Sequence, residues 1–316
     1  MKTVDYPIIK VTSPSFSKNN NLRQVLCKSF PASRFNETGK ELSREELAVF
    51  LSDADGAIIS LGAIDNYILD NCKKLRIISK YGVGIDNIDI PSCTQRGIVV
   101  QWTPGTNKTS VAEKTLSFML ALLHNIHTTS MQLKSGIWNK DGGVELSGKI
   151  IGIIGVGNVG KELIRLLKPF NCRILVNDII DQKEYYASHG VIETSKEEIF
   201  RCADVVTLHV PITPETNYLV NVNTLALMKP SAVIINTSRG KVVNQKDIKE
   251  VLRTKRIAGA ALDVFEQEPI TDMSLLSLPT LICTPHIGGN SVEAVNAMGL
   301  SAIDHLKEFF KVKQDL

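Results

Sequence analysis

The 316-residue sequence has no apolar run long enough to span a membrane, no internal repeat and no low-complexity segment. Charge imbalance is small: 36 Lys and Arg against 33 Asp and Glu leave a net +3 and an isoelectric point near 8.4. With both signs well mixed, this excludes nucleic acid and membrane surfaces as expected partners. Lys307, Lys311 and Lys313 alternate with Asp304 and Glu308 and read as a solvated helix face. The cysteines at 27, 72, 93, 172, 202 and 283 show no CxxC or finger spacing, so no metal site is expected. Most of them read as small buried apolar residues of a reducing compartment. Residues 1–16 carry no charged-then-apolar leader, which points to the cytoplasm.

The composition, 43% hydrophobic and 22% charged, is that of a globular protein long enough for two domains. Apolar runs at Ile8–Thr12, Ala57–Leu61, Leu75–Ser79 and Ile98–Gln101 alternate with helical patterns at Arg44–Leu51 and Asn66–Cys72, as in a parallel α/β sheet. The turn-rich segment QWTPGTNK at 101–108 marks a boundary, and a helix is expected from about Ser110 to His127. Its apolar residues cover more than one face, which implies burial on two sides, against its own domain and a second subunit. Further strands are expected at Val205–Val210, Ala232–Asn236, Ala258–Asp263 and Leu281–Thr284, and Ser195 with Glu198 resembles a capping box. A last helix, about Ser291–Lys311, is positioned to return to the first domain.

The most informative segment is GIIGVGNVG at 152–160. Apolar Ile150–Ile154 leads into Gly155, Gly157 and Gly160, and a helical pattern follows until Pro169. Gly155 permits the tight turn, Gly157 close approach of a pyrophosphate, and Gly160 close helix–strand packing. A second strand, Arg173–Asn177, ends at Asp178, 23 positions after Gly155 and close to where a ribose-binding acid belongs. A carboxylate there accepts from both ribose hydroxyls and repels a 2′-phosphate, so NAD is expected rather than NADP.

Asp178, His209 to Pro211, Thr237 to Arg239, Asp263 to Glu268 and His286 all lie at or just past the ends of strand-like runs. In an open parallel sheet that is the ligand-binding edge. Singly, Arg239 reads as a loop arginine, Glu268 as surface, and Asp263 as a strand end bonding turn N–H groups. His286, between Pro285 and the glycines 288 and 289, reads as a tight-turn residue with a functional side chain. Together they place a cation, a carboxylate and an imidazole at one crevice.

The segments GIIGVGNVG with Asp178, INTSRGKVV, ALDVFEQEP and TPHIGG, preceded by SKYGVGIDNID and TPGTNKTSVAE, resemble the signatures of the D-isomer-specific 2-hydroxyacid dehydrogenases, in their phosphoglycerate dehydrogenase-like branch. The resemblance covers about residues 57–304. It implies an α/β fold of two Rossmann-like, doubly wound parallel-sheet domains with the active site in the cleft between them. Residues 1–101 and 287–316 would form the substrate-binding domain and 102–286 the NAD-binding domain. A homodimer with the Ser110 helix near its interface is also implied.

Carried onto this sequence, Arg239 matches the substrate-orienting arginine, His286 the acid/base and Glu268 its partner. Glu266 competes for the last role, but Glu268 directly precedes proline, as the family's glutamate does. Asn158 and Val159 match backbone pyrophosphate contacts, Thr237 and Asp263 the nicotinamide side, and Val83 with Gly84 the cradle for the substrate carboxylate. Val210, Pro211, Ser238, Gly288 and Gly289 complete the expected cofactor contacts. The expected substrate is a small 2-hydroxy or 2-oxo acid of hydroxypyruvate/glyoxylate or 3-phosphoglycerate type. Where a phosphate-holding arginine is expected, this chain has Leu61, Gly62 and Ala63, leaving Lys80 as the remaining cation. An NAD(H)-sensing, corepressor-like binding protein on the same fold is the alternative.

Overall fold

The structure, a computed structural model, describes residues 6–312; Lys313 lies outside them. The chain forms two compact units, Met1–Asn107 with Ser291–Leu316, and Lys108–Asn290. The divisions fall a few residues beyond positions 101 and 286. In the first unit Thr103 Oγ1 bonds Ser301 Oγ at 2.6 Å and His305 Nε2 at 3.0 Å. In the second, the residues after His286 are tied back to Asp263.

The first unit is built on a parallel sheet of β1 (Ile9–Val11), β2 (Arg34–Phe35), β3 (Gly56–Ile59), β4 (Ile77–Lys80) and β5 (Val99–Gln101), in the order β2-β1-β3-β4-β5. β1, β3 and β4 are buried throughout, which is why they read as continuous apolar runs rather than alternating ones. Helix Arg44–Leu51 starts with a complete capping box between Ser43 and Glu46, and Asp65 caps helix Asn66–Asn71. Two helices, Pro14–Lys18 and Asn20–Ser29, went unanticipated; Asn19 ends one and caps the other through Leu22 N–H. The last helix, Val292–Phe310, packs in this unit. Gly299 leaves room for Leu22, which a Cβ would approach to 2.3 Å, and Ser79 Oγ donates to Ala302 O at 2.9 Å. Fully buried side chains such as Leu22, Leu26, Ile303 and Leu306 each stabilise this packing by about 1.5–3 kcal/mol.

The second unit carries seven parallel strands: β6 (Ile150–Ile154), β7 (Arg173–Asn177), β8 (Ile192–Glu193), β9 (Val205–Leu208), β10 (Val233–Asn236), β11 (Gly259–Leu262) and β12 (Leu281–Cys283). Their order, β12-β11-β10-β9-β6-β7-β8, reverses direction between β6 and β9. Such a reversal opens a crevice beyond the carboxyl ends of those two strands. The glycine loop after β6 lies there.

Three expectations need correction. The helix expected over Ser110–His127 is two helices, Lys108–Leu123 and Ile126–Lys134, separated where Asn125 takes a left-handed φ of 52°. Asparagine tolerates that conformation, so the chain turns there instead of continuing. Ser195 does accept from Glu198 N–H at 3.1 Å, but the reciprocal half of a capping box does not form; the Glu198 side chain is turned instead to Cys202, whose Sγ donates to Oε1 at 2.9 Å. The six cysteines are free, yet only Cys72 and Cys93 are buried. No helix among the described residues is long and apolar enough to cross a membrane.

Candidate active site

The second unit assembles its site from the ends of six strands, β6, β7, β9, β10, β11 and β12. After β6, Gly155 has φ +96°, and a Cβ there would lie 2.3 Å from His209 O. Only glycine therefore fits where the loop meets the end of β9. A Cβ on Gly160 would meet Gly155 O at 2.3 Å, so the helix Asn158–Leu167 lies directly on the loop. Gly157, by contrast, faces open space and caps that helix without a side chain. The first-turn N–H groups, including those of Asn158 and Val159, thus meet no capping side chain, and the helix dipole adds positive potential. This arrangement fits a dinucleotide pyrophosphate.

Asp178 follows β7. One carboxylate oxygen accepts from Val156 N–H and the other from Ile180 N–H at 2.9 Å. The acid therefore ties the glycine loop after β6 to the chain after β7. Val210 follows β9 and its Cγ1 would lie 2.9 Å from a Cβ on Gly155, which puts Val210 and Pro211 beside the loop. Burial pushes the preceding His209 imidazole down to about 3, so the ring is neutral, and its Nε2 pairs with Thr207 Oγ1 at 3.0 Å.

Arg239 and His286 come from loops after β10 and β12, and Glu268 from the loop after β11. His286 Nδ1 and Glu268 Oε2 are 2.7 Å apart, and the other Glu268 oxygen accepts Phe265 N–H at 3.0 Å. Burial pushes the Glu268 carboxyl up, but its bonds to His286 and Phe265 and the nearby Arg239 charge more than offset this and hold it below the ordinary range. Glu268 is therefore ionised at neutral pH. With Nδ1 directed at the carboxylate, Nε2 is the nitrogen left for a proton exchanged with a ligand.

The loop bearing His286 is held in an uncommon conformation, φ +53° for a non-glycine residue. Asp263, at 1% exposure, secures it: Oδ1 accepts from Thr284 Oγ1 and from Ile287 N–H at 2.9 Å, and Oδ2 from Gly288 N–H at 2.7 Å. His286 N–H donates to Asp263 O at 2.8 Å, and Ser110 Oγ to Gly288 O at 2.7 Å. Asp263 is thus a strand-end acceptor, though its donors come from the loop after β12 rather than from its own turn.

Glu266 and Glu268 separate clearly. Glu266 accepts from Gln245 N–H at 2.6 Å and Tyr218 Oη at 3.2 Å, so Glu268 alone of the two pairs with the imidazole. Thr237 Oγ1 pairs with Thr115 Oγ1 at 3.0 Å, and Ser238 bonds Asn236 through both N–H and Oγ. Val83 and Gly84 follow β4 in the first unit. The residues missed by sequence reasoning are Asn236, Thr115, Ser110 and Tyr218. Of these only Asn236 left a signal, an asparagine heading a turn.

A glycine loop at a strand-order reversal, with an arginine after β10 and a carboxylate-paired histidine after β12, is the arrangement of a dinucleotide-binding α/β protein with a cation and an imidazole at the same sheet edge. Residues 116–288 match the family model "D-isomer specific 2-hydroxyacid dehydrogenase, NAD binding domain". A glyoxylate reductase of Pyrococcus furiosus is 38% identical over 272 residues, covering 83% of this chain and 81% of that protein. A D-3-phosphoglycerate dehydrogenase of Methanocaldococcus jannaschii is 37% identical over 87% of this chain, which spans only 53% of that longer relative. The solved D-lactate dehydrogenase of Aquifex aeolicus, complexed with NAD and lactic acid, superposes with a TM-score of 0.84 at 25% identity, covering 96% of this chain and 95% of that one. The chain belongs to the D-isomer-specific 2-hydroxyacid dehydrogenase family and carries its NAD-binding domain.

Proposed function

We propose that the protein is an NAD-dependent oxidoreductase interconverting a small, non-phosphorylated D-2-hydroxy acid and its 2-oxo acid. The observation that carries this reading is the 2.7 Å His286–Glu268 pair on the strand-end edge that also presents Arg239 and the glycine loop. Bound NAD supplies or accepts the hydride. Arg239 holds the substrate carboxylate and carbonyl with its planar fork and opposes the negative charge that develops on the carbonyl oxygen. In reduction the carbonyl carbon gains the hydride while its oxygen takes the proton from His286 Nε2; in oxidation the neutral ring takes the hydroxyl proton back. Ionised Glu268 orients the ring and stabilises its cationic form.

The non-phosphorylated class is favoured by the place of Lys80. It ends β4 at 5% exposure, with Nζ donating to Ser60 O and to Asn87 Oδ1 at 2.6 Å. That cation braces the turn after β3, where Leu61 and Gly62 stand. The glyoxylate reductase relative agrees with such a substrate. Purified protein supplied with NADH and, in turn, glyoxylate, hydroxypyruvate, pyruvate, 2-oxoglutarate and phosphohydroxypyruvate tests the reading. Turnover highest on a non-phosphorylated acid is expected, and no turnover on any of the five contradicts it.

The reading includes a homodimer. Ile126, Met131, Leu133, Ile137 and Trp138 expose apolar side chains over one short segment, Trp138 at 77%, and a second copy would cover them. Trp138→Lys should lower the mass measured by light scattering from dimer to monomer, and a wild-type protein that is monomeric contradicts this part.

A further inference from the structure

The geometry points to Asn236 as a positioning residue for Arg239, a role that rests on the proposed function of that arginine. Asn236 ends β10 with no solvent exposure. Its Oδ1 accepts from Ser238 N–H at 3.0 Å and from Ser238 Oγ at 2.8 Å. Its Nδ2 donates to Arg239 O at 2.8 Å. One side chain thus closes a ring across residues 236–239 and fixes the path of the backbone that carries the guanidinium.

The opposite side of Arg239 is fixed as well. A Cβ on Gly240 would lie 1.8 Å from Phe265 O, so residue 240 is pressed against the chain after β11. The 3-10 turn Gly240–Val242 begins there, with Arg239 itself in extended backbone at φ −140° and ψ 140°. Asn236 also links this loop to the strand of the histidine's partner, since its backbone O accepts Asp263 N–H at 3.0 Å. The Cα of Arg239 is therefore held from both directions.

The ring needs a side chain that donates and accepts at once, which only a carboxamide of this length does here. A carboxylate keeps the shape, but it has no hydrogen to give Arg239 O and places negative charge against a carbonyl oxygen. A two-pronged contact is sensitive to small displacements of its base, and an ångström of misplacement can cost about 100-fold in rate. Asn236→Asp should therefore weaken everything that depends on Arg239 far more than dinucleotide binding. The glycine loop dominates that binding; Ser238 is also among the expected cofactor contacts, but an aspartate retains the acceptor Oδ1 that holds it.

The test compares wild type, Asn236→Asp, Asn236→Ser and Arg239→Lys, all checked by circular dichroism. Asn236→Ser is neutral and too short to reach both partners, so the comparison survives if the aspartate variant does not fold. NADH affinity is read from fluorescence, and affinity for oxamate, a non-reacting 2-oxo acid mimic, from its binding to the protein–NADH complex. The expected result for both Asn236 variants is NADH affinity within about twofold of wild type, oxamate affinity down about tenfold or more, and glyoxylate kcat/KM down by about 100-fold. Wild-type oxamate affinity in the Asn236 variants, with Arg239→Lys impaired, overturns the positioning role alone. Equal loss of NADH and oxamate affinity also overturns it, because the damage is then general. A near-normal Arg239→Lys removes both the role assigned to Arg239 and the inference built on it.

Discussion

His286 and Glu268 meet at 2.7 Å through Nδ1 and Oε2, and the chain after β11 holds both partners. Phe265 N–H takes one oxygen of Glu268, while Asp263, two residues earlier, binds the loop of His286 through three donors. A buried strand end thus sets the register of a histidine–glutamate pair that itself remains partly exposed.

In the proposed mechanism this pair should make the two reaction directions opposite in their pH dependence. Reduction needs the imidazolium and oxidation the neutral ring. Glu268→Gln keeps a hydrogen-bonding side chain but removes the charge that favours the cation, so the alkaline limb of the 2-oxo acid reduction profile should move to lower pH. Initial rates between pH 5 and pH 9 measure this. An unmoved limb would assign the stabilising charge to a group other than Glu268.

Cofactor choice should follow Asp178. Its carboxylate is held by Val156 and Ile180 N–H groups, so it cannot swing away from a 2′-phosphate without releasing the glycine loop. NADH should exceed NADPH in kcat/KM by more than about tenfold, and Asp178→Ser should narrow that ratio while weakening NADH as well. Equal values for the two cofactors in wild type would remove Asp178 as the discriminator.

Folding stability should fall in mild acid. Burial holds His209 at about 3 and lowers His305, below the roughly 6.5 of an unfolded chain. The unfolded state therefore binds these protons first. The stabilising difference is fully present above pH 6.5 and is lost as pH falls towards the folded values, with up to about 1.4 kcal/mol per pH unit from His209 and less from the more exposed His305. Urea unfolding at pH 7 and pH 5.5 should show a smaller difference for His209→Gln than for wild type. Identical differences would mean that His209 does not carry the effect.

Much of this was legible in sequence because strand ends in a parallel sheet coincide with polar residues after apolar runs. Ile150–Ile154 and Arg173–Asn177 fall where the alternation of runs and turns puts them, whereas in sequence Glu268 is separated from Glu266 only by the family resemblance, in which the glutamate directly precedes proline. The braces were not legible. Asp263 reaches across to another strand's loop, and Thr115 to Thr237, through contacts that no local spacing encodes. The break at Asn125 was hidden because apolar residues continue on both sides of it, and only the left-handed backbone shows the turn.

The most direct test of the proposed chemistry is His286→Ala assayed for NADH oxidation with the best 2-oxo acid, alongside NADH affinity. Loss of the general acid should lower kcat by about 10²–10⁴-fold while NADH binds as in wild type. A variant that keeps its rate would contradict proton transfer by His286.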